Sequence, residues 1–218
     1  MLELVLNRSA SKPIKVLCLG AHADDIEIGC GGTILHLTKH YRKVDCTWIV
    51  FSGSPLRRKE AETSAVRFLR KAARRQVELH KFRDGFFPYQ GAEIKECFEQ
   101  LKQRCNPDLI FTHYRDDLHQ DHRLICELTW NTYRRNAILE YEIPKYDGDL
   151  ASPNVFVPLD NSIARRKIDI LLSTFKSQAG KHWFDRECFE SLMRLRGLES
   201  ACRYAEAFYG RKILIDLK

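Results

Sequence analysis

The pattern that most constrains this chain is the alternation of short apolar runs with stretches of helical period. Ile14–Gly20 (IKVLCLG), Val44–Ser52 (VDCTWIVFS), Gln76–Phe82 and Leu109–His113 are brief, and most are rich in β-branched and aromatic residues, so they read as strands. Between and after them, Gly29–His40, Arg58–Lys71, Glu93–Arg104 and Asp121–Arg134 read as helices, with apolar residues three and four apart, as at Ala61, Ala65, Phe68 and Leu69. Repeated strand–helix–strand units run their strands in one direction. They predict an α/β fold, a Rossmann-like three-layer sandwich with a mostly parallel sheet and helices on both faces. After Arg134 the alternation loosens. Ile138–Ile143 and Asn154–Val157 look extended, and Ser162–Phe175 and Cys188–Leu195 look helical. Lys212–Ile215 reads as a last strand. The expectation is one domain over 1–218, with Ile14–Arg134 as the α/β core and 135–218 as an extension that completes fold and site.

Composition excludes several alternatives. A chain of 218 residues that is 44% hydrophobic and 30% charged can bury an ordinary core, so disorder is not its main state. No stretch reaches the roughly 18 apolar residues of a membrane-spanning helix, so no transmembrane segment is expected. The start, MLELVLNRSASKPIK, lacks the long apolar run of a secretory signal, and a cytoplasmic protein is expected. The eight cysteines form no CxxC pair and lie mostly in apolar runs, where they act as small core residues. Lys and Arg number 36 against 29 Asp and Glu, a net charge of +7, which favours anionic partners without naming one. The densest run, Arg67–Arg75 (RFLRKAARR), reads first as a solvated helix face and second as a docking patch for a phosphorylated substrate, a nucleic acid or an anionic membrane. It lacks the interleaved aromatics of a single-strand binder, so no nucleic-acid partner is expected. A homo-oligomer stays open.

In an open parallel sheet, ligands bind beyond the carboxyl ends of the strands. The first strand is followed by Ala21-His22-Ala23-Asp24-Asp25-Ile26-Glu27. Imidazole and carboxylate three residues apart suit zinc, and one further His would complete a three-ligand set with an open position. Asp24, between them, is placed to take a proton from water. A phosphate loop on Gly29, Gly31 and Gly32 is the competing reading. It is disfavoured by the lack of GxGxxG and by the negative charge of Asp24, Asp25 and Glu27. Asp24 as a simple helix cap is a second alternative, but it leaves His22 and the next acidic cluster unexplained. The fourth strand is followed by His119-Gln120-Asp121-His122. Spacing does not decide which His is the ligand. The other would remain as an acid or oxyanion partner, with Asp121 near enough to orient its ring.

AHADDIEIGCGGT and, about a hundred residues later, DLHQDHR together resemble the PIG-L/LmbE family of zinc-dependent de-N-acetylases, whose usual motifs are AHPDDxExGxGGT and DxHPDH. Arg57-Arg58-Lys59-Glu60-Ala61 is similar to its RxxEA helix start, Asp84-Gly85-Phe86 to its DGF turn, Pro107–Phe111 to its PDxVF strand and Tyr204–Phe208 to its YAEAF segment. The likeness runs from Ile14 to Phe208. It implies an LmbE-like fold with its active site at the carboxyl ends of the strands, and zinc on His22, Asp25 and His122. It also implies Asp24 as general base, His119 as acid or oxyanion stabiliser oriented by Asp121, and Arg57 in contact with the sugar. Ala23 and Gln120 stand where the family has Pro, which loosens two turns but removes no ligand. The implied reaction takes the acetyl group from an N-acetylglucosamine-type amino sugar. Arg57, Arg58 and Arg115, all following strands, extend the expected substrate to a phosphorylated, nucleotide-linked or lipid-linked one. An amidase or esterase for another acyl group stays open, as does a metal- or nucleic-acid-binding protein without turnover.

Overall fold

The computed structural model describes Glu3 and residues 12–214. The elements run β1 (Ile14–His22), α1 (Asp25–His40), β2 (Val44–Ser52), α2 (Pro55–Phe68), β3 (Arg74–Phe82), a 3₁₀ turn (Phe87–Gln90), α3 (Gly91–Arg104), β4 (Leu109–His113), α4 (Gln120–Thr132) and β5 (Ala137–Tyr141). They continue with β6 (Val155–Leu159), α5 (Asn161–Thr174), a second 3₁₀ turn (Lys176–Gln178), α6 (Arg186–Glu199) and β7 (Tyr204–Tyr209).

The strands form one seven-stranded sheet in the order β3-β2-β1-β4-β5-β7-β6. β1 to β5 pair in parallel, while β7 runs antiparallel to both of its neighbours. This is the mostly parallel sandwich that the alternation predicts. Successive side chains on β1 point to opposite faces. Val16 and Cys18 join the core under α1, α2, α5 and α6, whereas Leu17 and Leu19 join Phe98 and Ile125 under α3 and α4. Among the described residues no helix is long and apolar enough to cross a membrane.

Helix α1 is buried along nearly its whole length, and its glycines explain how. A Cβ on Gly29 would collide with the ring of Tyr141, and one on Gly32 would lie 2.6 Å from Leu159. The Gly-rich segment that competes as a phosphate loop is therefore the close contact of helix with sheet. The N–H groups of Gly32 and Thr33 donate to Glu206 at 2.7 and 2.6 Å, and Lys167 donates to the same carboxylate at 2.7 Å. This buried cluster ties β7 to α1 and α5.

The structure corrects several boundaries. Lys212–Leu214 lies outside any strand, and Ile215 lies outside the described residues. The last strand is instead Tyr204–Tyr209, nearly all buried. Covered on both faces, it carries no alternation of apolar and polar residues to mark it as a strand. Helix α1 starts at Asp25 rather than Gly29. Helix α2 starts at Pro55 rather than Arg58, because Ser54 caps it by accepting from the N–H of Arg57 at 3.3 Å.

Successive strands step outward from β1 through β2 to β3 on one side, and from β4 to β5 on the other. The chain reverses its strand order between β1 and β4, and the crevice at their carboxyl ends is where such sheets bind ligands.

Candidate metal and catalytic site

β1 ends at His22 and α1 begins at Asp25, so only Ala23 and Asp24 join them. Asp24 takes the left-handed conformation (φ 102°), which costs a non-glycine residue about 1–2 kcal/mol. It stands at the cap position of α1 but makes no capping hydrogen bond. Its carboxylate turns to Arg57, with Nη2 at 3.0 Å from Oδ2. The cap reading thus gives way to an ion pair at the mouth of the crevice. The N–H of His22 donates to Asp25 Oδ2 at 2.6 Å, which folds the turn back on itself.

The first turn of α4 brings His122 to the same point. Its Nε2 lies 3.2 Å from His22 Nδ1, and Asp25 Oδ2 lies 3.5 and 3.6 Å from those two nitrogens. Ligand atoms held tetrahedrally at zinc distances are about 3.3–3.4 Å apart, so these three atoms have the spacing of one metal's ligands. The opposite ring nitrogens are held by carboxylates. His22 Nε2 is 3.1 Å from Asp121 Oδ2 and 3.0 Å from Asp84 Oδ1. His122 Nδ1 is 2.9 Å from Asp117 Oδ2. A carboxylate at the far nitrogen fixes the tautomer and leaves the near nitrogen as a lone-pair donor. Two further groups could also hold an ion, His22/Asp84/His119/Asp121 and His113/Asp117/His122. Their carboxylates are those that hold the far nitrogens, so the donor chemistry favours His22, Asp25 and His122.

Burial sets the electrostatics. It pulls His122 down to about 3, assisted by His113 and opposed by Asp25 and Asp117, so the imidazole is neutral. Burial also opposes the charged form of His22, but hydrogen bonds to Asp121, Asp25 and Asp84 outweigh it and hold this ring well above the ordinary histidine range. Asp24 is pushed up to about 6 by burial, against the pull of Arg57. Burial would raise Asp25 too, yet the neighbouring His122 and His113 hold it well below the usual carboxylate range. His119 is lowered, first by burial and then by the charge of His22.

The residues named from sequence divide as follows. His22, Asp24, Asp25, Arg57, His119 and His122 all line one cleft of about 480 Å³. Asp121 lies beneath it, and its carboxylate accepts from the N–H groups of Gly85 and Phe87 at 2.7 and 3.1 Å and faces His22. It meets His119 only through its main-chain N–H, which donates to His119 Nδ1 at 3.2 Å. The expected pairing of the Asp121 carboxylate with His119 is therefore replaced by one with His22, because α4 starts at Gln120 and His119 serves as its cap. Arg58 and Arg115 do not line the cleft, and the Arg115 N–H donates to Glu140 at 2.9 Å.

Sequence reasoning left Asp117, Lys145, Lys181 and Trp183 without roles. Asp117 lies in the second motif, so its position was visible there. The other three come from loops after β5 and α5 that carry no periodic pattern, and they reach the cleft only through the fold.

Comparison with known proteins agrees with this architecture. The family model for GlcNAc-PI de-N-acetylase (PIG-L) matches residues 17–133. The uncharacterized deacetylase YaiS of Escherichia coli K12 is 27% identical over 154 residues, covering 66% of this chain and 82% of YaiS. Among solved structures, the N,N'-diacetylchitobiose deacetylase of Pyrococcus horikoshii superposes with a TM-score of 0.69 at 21% identity, covering 92% of this chain and 84% of the archaeal one. The 4-carboxy-2-hydroxymuconate hydratase GalB of Pseudomonas putida KT2440 superposes with a TM-score of 0.71 at 15% identity, covering 94% and 99% of the two chains. With the family model matching more than half of its length, across both His/Asp loops, the chain belongs to the PIG-L family of de-N-acetylases, hydrolases that act on amide bonds.

Proposed function

We propose that this chain is a zinc-dependent N-deacetylase acting on an N-acetylglucosamine-type amino sugar. The observation that carries the reading is the convergence of His22 Nδ1, His122 Nε2 and Asp25 Oδ2 at 3.2–3.6 Å, with Asp24 beside them. His22, Asp25 and His122 would hold the ion, an N, O, N donor set that suits zinc. When bound, it supplies Lewis-acid polarisation of a carbonyl and makes water more acidic.

The chain's own residues do the rest. Asp24, poised at about 6, accepts the proton of the attacking water and passes it on to the leaving nitrogen, since an amine departs poorly unless protonated. Arg57 holds Asp24 through Nη2, while its Nη1 is buried without a hydrogen bond and 4.0 Å from Glu60. Arg57 thus serves first to hold Asp24 at the mouth of the cleft. His119 accepts the Asp121 N–H on Nδ1, so in its neutral form the proton sits on Nε2, a donor for the oxyanion of the tetrahedral intermediate. Asp121 acts as a positioning residue by holding His22.

Ile143, Lys145, Gln178, Lys181 and Trp183 line the cleft beside the metal ligands, which supports a single functional unit in which 135–218 completes the site. An anionic group on the sugar would meet Lys181, because Arg57 is engaged by Asp24 and Lys145 by Asp117 and Asp149. The test is acetate release by the zinc-loaded protein from free N-acetylglucosamine and from its phosphorylated, nucleotide-linked and lipid-linked forms. Release from at least one supports the reading, and release from none removes it. A second reading, addition of water to a carbon–carbon double bond of an unsaturated acid, is favoured by the likeness to the hydratase fold. It predicts no acetate and loss of the diene absorbance of such an acid.

A further inference from the structure

The basic run Arg67–Arg75 is not a single face. Arg67 lies in the last turn of α2, Arg70 and Lys71 lie in the turn beyond it, and Arg74 and Arg75 enter β3. The first three, with Arg166 of α5, surround a cavity of about 380 Å³ between α1, α2 and α5, floored by Leu35, Phe68 and Ile163. It flanks the last turns of α1, where Leu35, Thr38 and Lys39 line it, roughly 15–20 Å along the helix from Asp25 at about 1.5 Å of rise per residue. It is therefore separate from the catalytic cleft.

A solvated helix end explains only part of this. The helix dipole favours a cation at Arg67, but Arg70 and Lys71 lie past the helix and Arg166 lies in the first half of α5. Neighbouring anions are already taken. Asp160 bonds Lys39 at 2.7 Å and caps α5 through the N–H of Ile163 at 2.9 Å. Among the described residues, Arg70, Lys71 and Arg166 have no carboxylate partner. Arg67 is half-buried and fixed by Ser173 and Thr174, both 2.7 Å from Nη1, so its fork is held in place in advance. Arg70, Lys71 and Arg166 are exposed around the half-buried Arg67, so an anion entering the concavity meets four positive charges on one side.

We propose that this cavity is a binding site for a phosphate monoester, gripped by Arg67, Arg70, Lys71 and Arg166. Arginine forks match phosphate oxygens in pairs, and lysine adds a point charge. The apolar floor accommodates a carbon chain or ring on the same ligand. The phosphate can come from a soluble metabolite or from a lipid headgroup, and one design separates these.

Glycerol 3-phosphate is titrated calorimetrically into the full-length, zinc-loaded protein. Vesicles of phosphatidylcholine with and without phosphatidic acid are co-sedimented with it. The same is done for R70Q/R166Q and for R134Q/R135Q, which removes equal charge at another basic surface. Saturable one-to-one binding of glycerol 3-phosphate, weakened about tenfold or more in R70Q/R166Q and unchanged in R134Q/R135Q, supports a soluble ligand. Sedimentation that requires phosphatidic acid and shows the same pattern of loss, without binding of glycerol 3-phosphate, supports the lipid headgroup. Acetate release by R70Q/R166Q should match that of the unsubstituted protein. Binding of neither probe, or equal weakening by both pairs, overturns the proposal.

Discussion

Asp117 gives the sharpest test of how the ligands are held. Its Oδ2 accepts from His122 Nδ1 at 2.9 Å and from Lys145 Nζ at 3.0 Å, in a fully buried position. Burial alone would raise this carboxyl, but the hydrogen bond from His122, with the nearby His113 and Lys145, holds it well below the usual carboxylate range, so it is ionised at any working pH. Its bond to the ring fixes the proton on Nδ1 and turns Nε2 toward His22 and Asp25. A hydrogen bond to a charged group is worth about 1.5–3 kcal/mol, and 1.4 kcal/mol is tenfold in affinity. Asp117→Ala should therefore weaken zinc binding by about 10–100-fold, the usual cost of losing such a partner. Asp117→Asn can still accept from Nδ1 and should lose less. Lys145 keeps Asp149 in both, which limits collateral damage. Competition with a chromogenic chelator at fixed pH reads the affinity, and circular dichroism checks the fold. If folded Asp117→Ala binds zinc as tightly as the unsubstituted protein, this carboxylate does not hold the His122 ring for the ion.

Asp24→Asn should keep zinc, since Asp24 is outside the proposed ligand set, and should lose about 10²–10⁴-fold in turnover if it is the proposed base; parallel metal analysis and acetate assay separate the two, and joint loss would make Asp24 a ligand. The raised His22 is protonated near neutral pH in the absence of metal, so zinc must displace a proton. Affinity should then fall as pH drops, by up to about tenfold per unit while His22 is protonated, and calorimetry in buffers of different ionisation enthalpy should report about one proton released. Gly29→Ala gains about 1 kcal/mol in helix propensity but drives a Cβ into the ring of Tyr141, which is fixed through its Oη to Leu19 O at 2.7 Å. Overpacking typically costs about 1–3 kcal/mol, so after the propensity gain a net loss of up to about 2 kcal/mol is expected as a lower denaturation midpoint, and a raised midpoint would show that the ring can yield.

Much of the fold was legible because β1, β2, β3 and β4 are separated by helices with strong period. β2 and β4 fall on the residues expected, Val44–Ser52 and Leu109–His113. The C-terminal part was harder. Tyr204–Tyr209 pairs antiparallel between β5 and β6, and burial on both faces removes the alternation that would have marked it. The site residues in the first and second motifs were visible because chemistry-bearing side chains follow strands directly. Their partnerships were not. Spacing places Asp121 near His119, whereas the helix start at Gln120 makes His119 a cap and aims the Asp121 carboxylate at His22. The positive charge was legible in part. Arg57 lines the cleft as expected, whereas Arg58 and Arg115 do not, and of the Arg67–Arg75 run only Arg67, Arg70 and Lys71 share a cavity, beside the last turns of α1.

In the proposed reaction one ion on His22, Asp25 and His122 serves amide hydrolysis by Asp24. The direct measurement adds zinc stepwise to the metal-stripped protein and follows acetate release from the best substrate of the sugar panel. Activity should rise in proportion to zinc up to one equivalent per chain and then level, with no rise in His122→Ala. Full acetate release without metal, or a rise that continues to two equivalents, would contradict the proposed reaction.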